Sequence, residues 1–120
     1  MADSCYHIAS DLKVPHSGAI EVCWNAGGYL ALITKNKERN AVQAYLDSSW
    51  LWIDGSDAEQ EGNWLRHTGA EIPNIPFKGL GGEEPNGGKA ENCLFMNYFL
   101  LGDWKCDDSY KALCEMNISN

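Results

Sequence analysis

Five cysteines, Cys5, Cys23, Cys93, Cys106 and Cys114, constrain this 120-residue chain more than any other feature. They lie far apart, form no CxxC pair and share no zinc-type spacing with His7, His16 or His67, so a metal–thiolate site is not indicated. In an oxidising compartment, cysteines spaced this way act as cross-links, on which small secreted domains often rely. An odd count leaves at least one thiol unpaired within the chain or bonded to something outside it. The Asn117-Ile118-Ser119 tripeptide is a glycosylation acceptor and agrees with an extracellular route. The three histidines occur singly, with no HExxH, and read as surface or core residues rather than ligands.

One domain over 1–120 is the expectation, because this length supports a single hydrophobic core and not two. Apolar residues at 44% and charged residues at 22% are ordinary for a soluble globular chain, so neither disorder nor a coiled coil is needed. Nine Lys and Arg against 17 Asp and Glu give a net charge of -8, which repels a phosphate backbone and excludes nucleic acid as a natural partner. No apolar run approaches the roughly 20 residues that a bilayer-spanning helix needs. Met1-Ala2-Asp3-Ser4 does not open a signal peptide, so the expectation is a soluble domain or a mature segment of a longer precursor.

Along the chain, Cys5 to Ala9 alternates as an edge strand does. A helix follows near Pro15, with Ala19, Ile20, Cys23 and Trp24 forming one apolar face, and Gly27-Gly28 ends it. Tyr29 to Ile33 is an apolar run of strand length. Thr34 is placed to cap a helix over Lys35 to Leu46, with Ala41, Val42, Tyr45 and Leu46 inward. Trp50-Leu51-Trp52-Ile53 reads as a strand buried on both faces. From Asp54 to about Glu91 the chain is rich in Gly and Pro, with Asn63-Trp64-Leu65 as its one strand-like stretch; so long a loop is usually functional or disordered. Gly79-Leu80-Gly81-Gly82 is not a phosphate loop, since no strand precedes it and no Lys-Ser/Thr follows. Order returns in three short strands, Cys93 to Met96, Trp104 to Cys106 and Lys111 to Glu115. Trp50, Trp52 and Trp64 are core candidates.

The acids are unevenly spread. Asp54, Asp57, Glu59 and Glu61 share one loop, Glu83, Glu84 and Glu91 the next, and Asp103, Asp107 and Asp108 lie near the end, together ten of the 17. If the fold converges these loops, a hard cation would relieve their repulsion. Carboxylate and amide oxygens are the set Ca2+ prefers, 6–8 of them at roughly 2.3–2.6 Å. No EF-hand spacing is present, and a solvated acidic surface is the alternative.

The order of motifs resembles the C-type lectin-like domain, from Cys5 to Glu115. The residues that carry the likeness are Cys23 in the first helix, the Gly27 to Ile33 run and Trp52-Ile53-Asp54 where that family usually has Trp-Ile-Gly. Glu84-Pro85-Asn86, Glu91-Asn92-Cys93, Leu101-Gly102-Asp103 three residues before Cys106, and Leu113-Cys114-Glu115 complete it. The resemblance implies an α+β fold with two helices flanking small antiparallel sheets and a long loop region. It also implies disulfides from Cys23 to Cys114 and from Cys93 to Cys106. Cys5 stands where longer members have a partner upstream, and so is free, intermolecular or orphaned.

In sugar-binding members a Ca2+ ion presents its open positions to two vicinal hydroxyls, while the acid and amide ligands hydrogen-bond the same hydroxyls. Carried onto this sequence, the primary ligands are Glu84, Asn86, Glu91 and Asp103, which also contact the sugar. A cis bond before Pro85 would turn Glu84 and Asn86 the same way. Glu-Pro-Asn goes with equatorial 3- and 4-hydroxyls, as in mannose, glucose, fucose-like or N-acetylglucosamine ligands. The departure is Gly102, where the family has the Asn of Trp-Asn-Asp; water could fill that vacancy, so weaker cation binding is expected. An alternative register through Trp104, Asp107 and Asp108 would break the disulfide spacing. A second Ca2+ site would use Asp57, Glu61 and Asn92 with Glu91 shared, although Gly87 replaces another acid there.

The implied function is therefore calcium-dependent binding of glycans or glycoproteins, by a secreted or extracellular domain that could form homo-oligomers. The alternative is a lectin-like fold that binds a protein ligand without calcium. An enzyme has little support, since no nucleophile with an adjacent base is readable.

Overall fold

The computed structural model describes residues 3–44, 50–60, 62–75, 93–97 and 100–118. Along the chain come β1 (Asp3–Ile8), α1 (His16–Asn25), β2 (Tyr29–Leu30), α2 (Asn36–Gln43), β3 (Leu51–Ser56), β4 (Cys93–Met96), β5 (Leu101–Trp104) and β6 (Lys111–Ile118). The strands join in the order β1-β6-β3-β4-β5, with β2 also paired to β6. The pairs are antiparallel as expected except at one seam, where β3 and β6 run parallel, with Leu51 opposite Lys111 and Trp52 opposite Ala112. A parallel pair cannot be closed by a tight turn, and here all of residues 57–110 separate the two strands.

Two packed clusters lie on the two faces of this sheet, which is why its central strands read as continuous apolar runs. Leu51, Ile53, Leu94, Met96, Leu101 and Leu113 share an aliphatic cluster. The residues between them, Trp52, Phe95, Ala112 and Cys114, belong to the other, which also takes Ala19 and Cys23 from α1. On this second face Trp50 stacks on Phe95 with ring centroids 4.4 Å apart and meets Trp104 edge-on at 5.1 Å. The core expectation holds for Trp52 and Trp64, which are buried, and Trp50 is half-buried, packed against the cluster that contains Trp52.

Cys23 bonds Cys114 and Cys93 bonds Cys106, the pairing that the resemblance implied, and Cys5 is exposed and unpaired in β1. The two bridges close 91 and 13 positions of sequence, worth about 4–5 and about 3 kcal/mol in the chain-entropy account. The first ties α1 to β6, and the second ties β4 to the turn after β5. Gly55 has φ +146°, and a Cβ there would run into Leu94, so this position in β3 excludes a larger residue.

Several local expectations are corrected. Trp24 is 74% exposed and not part of the apolar face of α1, because the helix turns His16, Ala19 and Cys23 toward the sheet. The cap position of α2 is Lys35, not Thr34; the Thr34 backbone N–H and hydroxyl instead donate to the Glu38 carboxylate at 3.1 and 3.3 Å. Ala41 faces out, while Gln43 is buried and donates to the carbonyl of Asn97 at 3.2 Å. Tyr45 and Leu46 lie outside the described residues. Only Tyr29 and Leu30 of the next run pair with β6, after which the Leu32 N–H turns to the Glu115 carboxylate at 3.0 Å. Asn63 to Leu65 is no strand, although Leu65 bridges both Ser56 and Glu71. The fifth strand ends at Trp104, so Cys106 sits in the turn beyond it.

Candidate functional site

β5 sets the stage for the expected cation site. Leu94 faces Asp103 and Phe95 faces Gly102 across the β4–β5 ladder, and the Cys93–Cys106 bridge locks that register. Strand alternation places Asp103 on the aliphatic face with Leu94, Met96 and Leu101, where it is buried to 2% exposure. The other expected primary ligands, Glu84, Asn86 and Glu91, lie outside the described residues, as does Pro85.

Asp57 of the expected second site is buried just after β3, and its Oδ2 accepts the Gly62 backbone N–H at 2.8 Å. That contact closes the 57–62 turn, with Gly62 in the left-handed region at φ +83°. Glu61 and Asn92 lie outside the described residues. Among the described residues no three His, Cys, Asp or Glu side chains converge as a metal site. The donor chemistry of the full set, carboxylates and amides, still fits a hard cation and not a soft one. Glu84, Asn86, Glu91 and Asp103 would hold it, and its contribution would be to offer open coordination positions to hydroxyl oxygens. The Asn117 acceptor lies in β6, where its backbone pairs with Ser4.

A polar cluster that the sequence reading did not find lies on the other face. Asp54, grouped above with the loop acids, is in β3 and 1% exposed. Its Oδ2 accepts from Arg66 Nε at 2.9 Å and His67 Nδ1 at 3.1 Å, and its Oδ1 accepts the His67 backbone N–H at 2.9 Å. Three donors, one of them a guanidinium N–H, compensate the buried charge. Arg66 also lies 5.5 Å from the centroid of the Tyr29 ring. Beside this cluster His16 donates Nε2–H to the Ile53 carbonyl at 2.8 Å, and burial pushes its pKa below the usual imidazole value. The available signal was Asp54 standing in place of the family's Gly, twelve residues before an Arg-His pair.

A family model described as Lectin C-type domain matches residues 13–116. The chain belongs to the C-type lectin domain family. Human tetranectin is 30% identical over 122 residues, and human C-type lectin domain family 3 member A is 32% identical over the same length. Each alignment covers 95% of this chain and 60% of the relative, so the chain spans about 60% of the length of these curated relatives. The mouse scavenger receptor C-type lectin carbohydrate-recognition domain superposes with a TM-score of 0.80 at 23% identity, covering 98% of this chain and 91% of that one. A calcium-independent type II antifreeze protein superposes at 0.77 with 22% identity, covering 96% and 88%. These structural likenesses establish the C-type lectin fold. No helix among the described residues is long and apolar enough to cross a membrane.

Proposed function

We propose that residues 1–120 form one carbohydrate-recognition domain of a secreted or extracellular protein, binding glycans through a Ca2+ ion rather than catalysing a reaction. Glu84, Asn86, Glu91 and Asp103 hold the ion and share the sugar hydroxyls, and equatorial 3,4-diols of the mannose, glucose, fucose or N-acetylglucosamine type are the ligands. The observation that carries this reading is the disulfide-locked register of β4 and β5. It supports the alignment in which a buried Asp103 takes the ligand position three residues before Cys106. Gly102 in the adjoining position supplies no side-chain oxygen, so cation affinity is lower than a full ligand set would give.

The same glycine favours a second reading, a domain that recognises a protein ligand without calcium. Mannose-agarose separates the two. Retention in millimolar Ca2+ with release by EDTA supports the first; retention indifferent to EDTA, or no retention at all, rejects it. A second site at Asp57, Glu61 and Asn92 would appear as a second equivalent of bound Ca2+ in calorimetric titration that Asp57→Asn removes.

A further inference from the structure

Trp24 is the largest exposed apolar side chain among the described residues, and it does not stand alone on a flat surface. It lines a pocket of about 480 Å³ together with Ile20, Glu21 and Asn25 from α1 and with Tyr29 and His67. Residues 20, 21, 24 and 25 form one stripe of the helix, on the side turned away from the buried Ala19 and Cys23. A second pocket of about 330 Å³ continues the same stripe through Ser17 and Ile20 to the Cys93–Cys106 bridge, and the two meet at Ile20 and His67. Together they make a groove along α1, in the size range of small-ligand clefts of roughly 300–1,000 Å³.

The groove wall is held in place by the buried Asp54, which binds both the side chain and the backbone of His67. With Nδ1 engaged by Asp54, the other ring nitrogen of His67, Nε2, is left to hydrogen-bond a ligand. Glu21 adds acceptors, Asn25 adds both donor and acceptor, and all three line the same pocket as Trp24. One flat aromatic face ringed by uncharged and acidic hydrogen-bonding groups matches a pyranose, whose C–H face stacks on the ring while its hydroxyls reach the rim. An anion is disfavoured by Glu21 and by the net charge of -8. A lipid chain would need more apolar lining than Ile20 and Trp24 provide.

We propose that the groove along α1 is a second, cation-independent site for a neutral oligosaccharide, with Trp24 as its stacking platform and Glu21, Asn25 and His67 as its hydrogen-bonding rim. The site does not depend on the cation reading, and its test is run in EDTA so that the two fail separately. Mannotriose, maltotriose and chitotriose are titrated to millimolar levels into the 15N-labelled chain, following the Trp24 indole N–H and the Asn25 side-chain amide. At least one sugar should shift both signals saturably. Trp24→Ala, an exposed position whose loss leaves the fold intact, should weaken that binding about tenfold or more, read at the Asn25 amide. Asp103→Asn should leave it unchanged. Absence of any shift with all three sugars overturns the proposal, as does equal affinity in Trp24→Ala. Signals that move with protein concentration and not with sugar also overturn it, identifying the groove as a contact between copies of this chain.

Discussion

The two faces of the sheet each bury one aspartate, and the two are treated differently. Asp54 is on the face that carries the aromatic cluster and both disulfides, where Arg66 and His67 meet its charge within the chain. Asp103 is on the aliphatic face, in the β4–β5 ladder opposite Leu94, and is the residue proposed above as a cation ligand. The Asp54 carboxylate works as a brace between β3 and the Arg66-His67 pair, whereas the role proposed for Asp103 is to join a larger set of oxygens around an ion. The disulfide face thus carries the frame, and the aliphatic face carries the expected recognition chemistry.

The largest test of that division is covalent. Replacing Cys23 and Cys114 together by Ala should cost about 4–5 kcal/mol in urea unfolding, and replacing Cys93 and Cys106 about 3 kcal/mol, following the logarithm of loop length. The second pair should also weaken Ca2+ binding, because it fixes the register that presents Asp103; the first should not, once the remaining folded fraction is allowed for. Equal effects of both pairs on Ca2+ affinity would break the comparison. Asp54→Ala comes next, with an expected loss of about 3 kcal/mol, since it strands a guanidinium built around that carboxylate. Arg66 keeps 25% of its side chain in solvent, which holds the figure at the lower end. A cost below about 1 kcal/mol would show that Asp54 braces nothing.

Much of this frame was legible in the residues. Trp50 to Ile53 is apolar on consecutive positions because the sheet is covered on both sides, and the family resemblance carried by the motifs around the cysteines implied the two bridges. The misreadings share a cause: periodicity tells which residues are apolar, not which of them the tertiary structure covers. Trp24 follows Cys23 by one residue, so helix geometry turns it well off the buried stripe that Cys23 occupies, and an apolar count cannot see this. Asp54 looked like one of several loop acids because its partners are twelve and thirteen residues away, beyond the reach of any local pattern. The parallel β3–β6 seam is equally non-local. Of the expected cation site, the sequence supplied the donor types, and the fold adds the burial of Asp103 and the turn-closing role of Asp57.

A cation titration sharpens the contrast between the two aspartates. If Ca2+ binds only the folded chain, a concentration near 100 times its Kd should add about 2.7 kcal/mol of stability. Asp103→Asn should abolish that increment, whatever its stability in EDTA. Asp54→Asn should do the reverse, lowering stability in EDTA and keeping the increment. Calcium-dependent stabilisation that survives Asp103→Asn would remove this residue from the ligand set and point to the alternative register at Asp107 and Asp108.

The smallest effect concerns His16, which lies beside the Asp54 brace on the disulfide face. Burial lowers its folded pKa; the Ile53 carbonyl and the Asp54 charge oppose that shift in part, and His67 adds to it. Above the unfolded value of about 6.5 both states hold the ring neutral, so the full stability is present there. As pH falls below 6.5 the unfolded chain takes the proton first, and stability declines until the lowered folded pKa is reached, at up to about 1.4 kcal/mol per pH unit. His16→Gln retains an N–H for the Ile53 carbonyl but cannot titrate. Unfolding free energies measured between pH 7 and about pH 5 should therefore fall less steeply in His16→Gln than in the parent chain. Parallel slopes would mean that His16 accepts its proton as readily folded as unfolded. The disulfide face would then be open enough to admit a charge, contrary to the dry brace that its packing describes.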